Sequence, residues 1–253
     1  MQNRFVGDIG DFGKFGLLNA LCRGNDYEPA LRMGIIWYLT PDSGNAGHGQ
    51  SIDYLSPMPG NLRYYRACDP ILYDKLAEIV FSNRRNVASI QAASIFPPNT
   101  LYYDAPLSFD GIAARERENY RWQWWFNARY HVIPCDLVFL DPDNGLEVQS
   151  KPSHYVDAPK YVFYEEIEQL AGMEQTIVIY HHHCRENEEL QLSKRIDELE
   201  ALLPERTVRA ITFVRYSRRT YFIIPANGLE AMVQNRLDRL LNSPWWNHFV
   251  LFK

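Results

Sequence analysis

The segment that most constrains the fold is an apolar run that stops on a carboxylate: Cys135-Asp136-Leu137-Val138-Phe139-Leu140, followed by Asp141-Pro142-Asp143-Asn144-Gly145. Four consecutive large apolar residues without polar alternation suit a strand buried on both faces, as in a parallel sheet covered by helices. Met33 to Leu39 and Thr176 to Tyr180 are runs of the same kind. They alternate with helix-length stretches: Phe15 to Cys22, Asp69 to Val80, Arg121 to Tyr130, Glu188 to Leu203 and Gly228 to Leu241. This alternation predicts one α/β domain over residues 1–253, built on a doubly wound, Rossmann-like sheet. Arg209 to Arg215 and Thr220 to Ile224 flank Ser217-Arg218-Arg219 and predict a C-terminal β-hairpin. Val87 to Ala92 reads as a weaker strand, and the Trp-rich residues from about 97 to 130 as a helical insertion.

A chain of 253 residues with 46% hydrophobic content buries a sizeable core. Its net charge of −5 advertises no basic face, so a nucleic-acid partner requires a local cluster of Lys and Arg. Arg215, Arg218 and Arg219 form the best one, with Lys14, Arg63 and Arg66 as further phosphate contacts. Trp122, Trp124 and Trp125 serve either as base-stacking surfaces or as core. Cys22, Cys68, Cys135 and Cys184 have no CxxC spacing, and no apolar leader or membrane-length apolar stretch is present. These features predict free thiols, a cytoplasmic protein and no membrane partner.

In a doubly wound sheet, ligands bind outside the carboxyl ends of the strands, which is where Asp141 falls. Asp, Pro, Asn and Gly are also ordinary turn residues, but the position after so apolar a strand favours function. The i, i+2 spacing of Asp141 and Asp143 suits a shared divalent cation. Gly7 to Gly16 carries four glycines with Asp8, Asp11 and Lys14 before a helix. It is either a backbone cradle for an anionic group or an N-terminal segment that caps the helix, and it meets neither Walker A nor Rossmann spacing. Tyr180-His181-His182-His183 ends another strand; successive side chains point to opposite faces, so at most two converge on one ion. Glu165 and Glu166 face different directions, and one of them can reach the cleft.

The order of these motifs resembles that of the bacterial large-subunit ribosomal-RNA adenine-N6 methyltransferase family, a class I S-adenosylmethionine (SAM) fold. Asp11-Phe12-Gly13-Lys14 stands where the family has Asp-x-x-Lys, and Tyr38-Leu39-Thr40-Pro41-Asp42-Ser43-Gly44 resembles the end of its first strand. Leu62-Arg63-Tyr64-Tyr65 with Asp69-Pro70 is similar to its Leu-Arg-Tyr-Tyr stretch and Ser-Pro helix start. Asp141-Pro142-Asp143-Asn144 stands at its Asp-Pro-Pro-Tyr, and Ile177 to Tyr180 at a later strand. The matches are short but collinear. The resemblance implies a methyltransferase-type sheet and a SAM-dependent methyltransferase-like enzyme acting on an amine of nucleic acid. Asp141, with Asp143 beside it, would hold the acceptor amine and Lys14 would orient substrate or cofactor. Asp11, Asp42, Gly44, Asp69 and Gln91 would border the SAM. Two departures fall on the chemistry: Asn144 replaces the aromatic that stacks on the target base, and no acid ends Ser89-Ile90-Gln91, which leaves Gln91 to meet the ribose hydroxyls.

Several cleft positions have instead become carboxylates: Asp8, Asp11, Asp42, Asp69, Asp141 and Asp143 would crowd one pocket. Close carboxylates ionise together only with a cation between them, and Mg²⁺ or Mn²⁺ is the natural one. A second expectation is therefore a metal-dependent nuclease or phosphohydrolase with Asp141, Asp143, Glu166 and His181 as ligands. A third is a non-catalytic interaction protein that keeps the fold and an empty cleft.

Overall fold

The computed structural model describes residues 1–42, 51–183 and 187–253, so Gly44 and Cys184 lie outside the described residues. The strands are β1 (Met33–Ile36), β2 (Leu101–Tyr103), β3 (Leu137–Leu140), β4 (Gly145–Leu146), β5 (Tyr161–Val162), β6 (Thr176–His182), β7 (Arg209–Phe213), β8 (Arg219–Ile224) and β9 (Phe249–Leu251). The helices are α1 (Ile9–Cys22), α2 (Pro59–Asn61), α3 (Pro70–Phe81), α4 (Val87–Ala92), α5 (Arg117–Val132), α6 (Tyr164–Ala171), α7 (Glu188–Leu202) and α8 (Glu230–Leu241). Seven strands form one mixed sheet in the order β2-β1-β3-β6-β8-β7-β9, and β4 and β5 pair separately. The neighbours from β2 to β6 are parallel, whereas β8 runs antiparallel to both β6 and β7.

Burial on both faces explains the uninterrupted Leu137-Val138-Phe139-Leu140 run. Leu137 and Phe139 point into a core shared with α1, α3 and α8, and Val138 and Leu140 into one shared with α5, α6 and α7. The result is an α/β sheet with helices on both faces, compatible with a Rossmann-like fold. The register pairs Ile36 with Leu140 and Leu140 with Ile179, so β1 and β3 end at one level, beside Ile179 of β6, which continues to His182. Trp37 and Asp141, which follow β1 and β3, and Tyr180, at the same level in β6, lie along one edge. The chain passes from β1 to β2 on one side and returns to β3 on the other, which makes that edge the topological switch point.

Three expectations are corrected here. Val87 to Ala92 is the helix α4, not a strand: the Asn86 side chain accepts from the Ser89 amide, and Val87 and Ile90, at i and i+3, bury one face. The second strand lies further on, at Leu101–Tyr103, so residues 97 to 130 are no insertion; they supply the sheet edge β2 and the helix α5 that packs on β1 and β2. The Gly-rich segment is itself the first two turns of α1, which starts at Ile9 because the Asp8 side chain caps it by accepting from the Asp11 amide. Gly10, Gly13 and Gly16 recur every third residue and form a seam against Arg219, Phe213 and Trp245; a Cβ on any of them would clash with the facing side chain. These glycines serve helix packing.

Among the described residues no helix is long and apolar enough to cross a membrane, and Cys22, Cys68 and Cys135 are free thiols.

Candidate functional site at the switch point

Asp8, Asp11 and Lys14 follow one another at intervals of three, so the cap and first turns of α1 present all three on one face. That face lies against the end of β3. The Lys14 ammonium is buried and sits 2.9 Å from Asp11 Oδ1 and 2.9 Å from Asp141 Oδ2. Asp11 Oδ2 also accepts from the Gly7 amide at 3.0 Å. Asp8 faces the Arg219 guanidinium at 3.4 Å, from the start of β8. Asp143 accepts from Gln2 and from the Thr40 hydroxyl, both at 2.8 Å. The Met1 α-ammonium pairs with Asp143 Oδ1 at 3.0 Å and donates to the carbonyls of Tyr38 and Asp141 at 3.0 Å each. The ends of β1 and β3 therefore present a ring of acceptors that takes a cationic amine.

These charges shift one another. Burial raises the Asp141 and Asp8 carboxyls above the usual carboxylate range, against the pull of Lys14 on the first and Arg219 on the second. Burial also opposes the Lys14 ammonium, yet Asp11 and Asp141 together hold its pKa above the ordinary lysine value. Burial works against Asp143 too, but the α-ammonium and the hydrogen bonds from Gln2 and Thr40 outweigh it and lower its pKa. The carboxylates are balanced by the chain's own cations.

The cleft above this network encloses about 640 Å³, within the range of small-molecule sites. Of the six carboxylates expected to converge, Asp8, Asp11, Asp141 and Asp143 line it. Asp42 and Asp69 do not: Asp42 is exposed and accepts from the Arg4 amide, while Asp69 caps α3 by accepting from the Leu72 amide. Gln91 also lies outside the cleft lining, on α4, where its amide donates to Asp104 at 3.0 Å. Asp104 is the acid that follows β2, and it is exposed. Displaced by the misplaced second strand, it had no weight in the sequence; the signal for it is Leu101-Tyr102-Tyr103 ending on an acid.

Glu166 and His181 are also kept from the cleft. Glu166 is clamped by Arg121 at 2.8 Å, accepts from the Tyr38 hydroxyl at 2.9 Å and caps α6 through the Phe163 amide. This buried network grips Tyr38, which holds the left-handed φ of 43° at the end of β1. His181 points to the other face of β6, where its Nδ1 accepts from the Leu146 amide, and burial pushes it down to about 3. Of the four side chains expected to share a metal, Asp141 and Asp143 are thus parted from Glu166 and from His181. Among the described residues no group of three His, Cys, Asp or Glu side chains is arranged to hold one. Alternation along β6 brings Tyr180 and His182 to the cleft instead, and the His182 amide bonds the Asn144 carbonyl at 3.1 Å. With Phe5 they are its aromatic lining.

Of the expected basic cluster, only Arg219 reaches the cleft; Arg218 pairs with Glu188, and Arg215 lies over the Tyr64 ring. A larger hollow of about 1000 Å³ lies along α7, but none of its lining residues comes from the ends of β1 or β3, and there Tyr164, Arg195 and Glu198 already bond one another. No family model, no curated protein and no solved structure matches the chain.

Proposed function

We propose that the chain is a SAM-dependent methyltransferase-like enzyme acting on an amine of nucleic acid, with the switch-point cleft as its active site. The observation that carries this reading is Asp141: a buried carboxylate at the end of the central parallel strand, tied by Lys14 to the first helix, at the edge where open α/β sheets bind ligands. Two further features support it. The cleft's volume of about 640 Å³ suits a small-molecule cofactor, and its walls carry both carboxylates and cations, Asp8, Asp11 and Asp143 with Arg219 and Lys160. Together they suit SAM, a small molecule carrying charges of both signs, which when bound supplies an electrophilic methyl group.

The chain's own groups divide the remaining work. Asp141 accepts a hydrogen bond from the acceptor amine while Lys14 holds its Oδ2, which fixes the carboxylate. Burial raises its proton affinity, and this suits a group that takes the proton released by a methylated amine. Tyr180 and His182 offer planar surfaces beside Asn144 where the family's aromatic is missing. Arg219, Arg4 and Lys160 on the cleft wall suit a polyanionic substrate.

The test is transfer of labelled methyl from SAM into total RNA and DNA. Wild type is expected to incorporate label, and Asp141→Ala to lose incorporation while still binding S-adenosylhomocysteine. Equal incorporation by Asp141→Ala would remove Asp141 from the chemistry.

A further inference from the structure

Helix α5 is apolar on two opposite faces. Arg121, Trp124, Trp125, Ala128 and Val132 are its buried side, packed on β1 and β2. The outer side carries Trp122, Phe126, Tyr130 and, one residue past the helix, Ile133, which are 56%, 41%, 70% and 52% exposed. At 3.6 residues per turn these four fall in one stripe about 80° wide, roughly opposite the buried face. Trp122 and Phe126 stack on each other at 5.6 Å and 22°. A surface helix ordinarily shows water a polar face, and a contiguous apolar ridge marks a surface that another molecule covers.

We propose that the occupant is a second copy of this chain, with the two α5 helices packed antiparallel about a two-fold axis. Two observations favour self-association. The ridge is self-complementary, because a stacked Trp–Phe pair with a Tyr one turn further on meets its own reverse in an isologous contact. The area suffices as well. The four side chains expose roughly 450 Å² per copy, and with flanking Asn119 and Gln123 a pair would bury about 1,000 Å², the low end for specific interfaces. Nucleic acid fits this ridge poorly, since Arg129, the cation along it, already bonds Gln169 and lies over Phe126.

An interface of that size predicts a reversible dimer, read by sedimentation velocity of the full chain over a concentration series from low to several hundred micromolar. Wild type is expected to shift from monomer to dimer within the series. Tyr130→Lys, at a site too exposed to matter for the core, and Phe126→Glu are each expected to raise the dissociation constant about tenfold or more. Unchanged circular-dichroism melting would show that both variants fold. Wild type monomeric throughout overturns the proposal, as do variants that dimerise as tightly as wild type. Wild type that stays monomeric while a single-stranded oligonucleotide quenches its Trp122 fluorescence overturns it in favour of nucleic acid.

Discussion

Lys14 stands buried between two carboxylates, and this decides what its loss does. Lys14→Met leaves Asp11 and Asp141 buried without their shared cation, so unfolding free energy is expected to fall by about 3–5 kcal/mol in urea titration. Adding Asp141→Asn is expected to restore part of that loss, a coupling on the order of 1–3 kcal/mol; simple additivity would mean that the two groups do not act as a pair. His181 carries a different signature. Its folded pKa lies near 3, below the 6.5 of an ordinary imidazole, so the unfolded chain binds the proton first as pH falls. The stability it contributes is present above pH 6.5 and lost as pH falls toward 3. Its asparagine variant keeps an acceptor for the Leu146 amide without a titrating ring. Melting curves are therefore expected to show the gap between wild type and His181→Asn closing as pH falls below 6.5. A gap constant with pH would contradict a buried neutral ring. At this scale the sequence was legible where one residue's position is set by its own element: Asp141 ends a strand and Lys14 repeats Asp11 at i+3. Glu166 was not legible, because what removes it from the cleft is the distant Arg121; for His181 the alternation was legible, but which face of β6 borders the cleft is set by its neighbours β3 and β8.

The glycines of α1 show how an element's meaning depends on its neighbour. In an isolated helix Gly→Ala gains up to about 1 kcal/mol. At Gly13 the added Cβ would lie 2.5 Å from the Phe213 ring, so Gly13→Ala is expected to reverse sign and lower stability by about 1–3 kcal/mol through overpacking. A rise in melting temperature would show that α1 does not touch the sheet so closely. The alternatives weighed for this segment, a ligand cradle or a cap, both missed that seam, because its other side is built from β7, β8 and the C-terminal residues, far away in sequence. The second strand was missed for a related reason. Val87-Ala88-Ser89-Ile90 is too short for periodicity to separate helix from strand, and the Asn86 cap decides it. β2 has three partly buried residues after a Pro-rich turn and is a strand through its pairing with β1.

For the molecule as a whole, the apolar strands fixed the class: a run such as Leu137 to Leu140 has to be covered on both faces, and helices on both sides of a parallel sheet do that. The reversal at β8 and the splitting of the carboxylates among Lys14, Arg219 and the α-ammonium are tertiary facts that no window of sequence carries. They replace the crowded acidic pocket with a charge-balanced cleft. The central claim is that this cleft binds the SAM scaffold, and titration calorimetry with S-adenosylhomocysteine tests it most directly. The expected result is saturable binding at one site per chain. Absence of any binding heat from folded wild-type protein, with S-adenosylhomocysteine and with SAM alike, would contradict it.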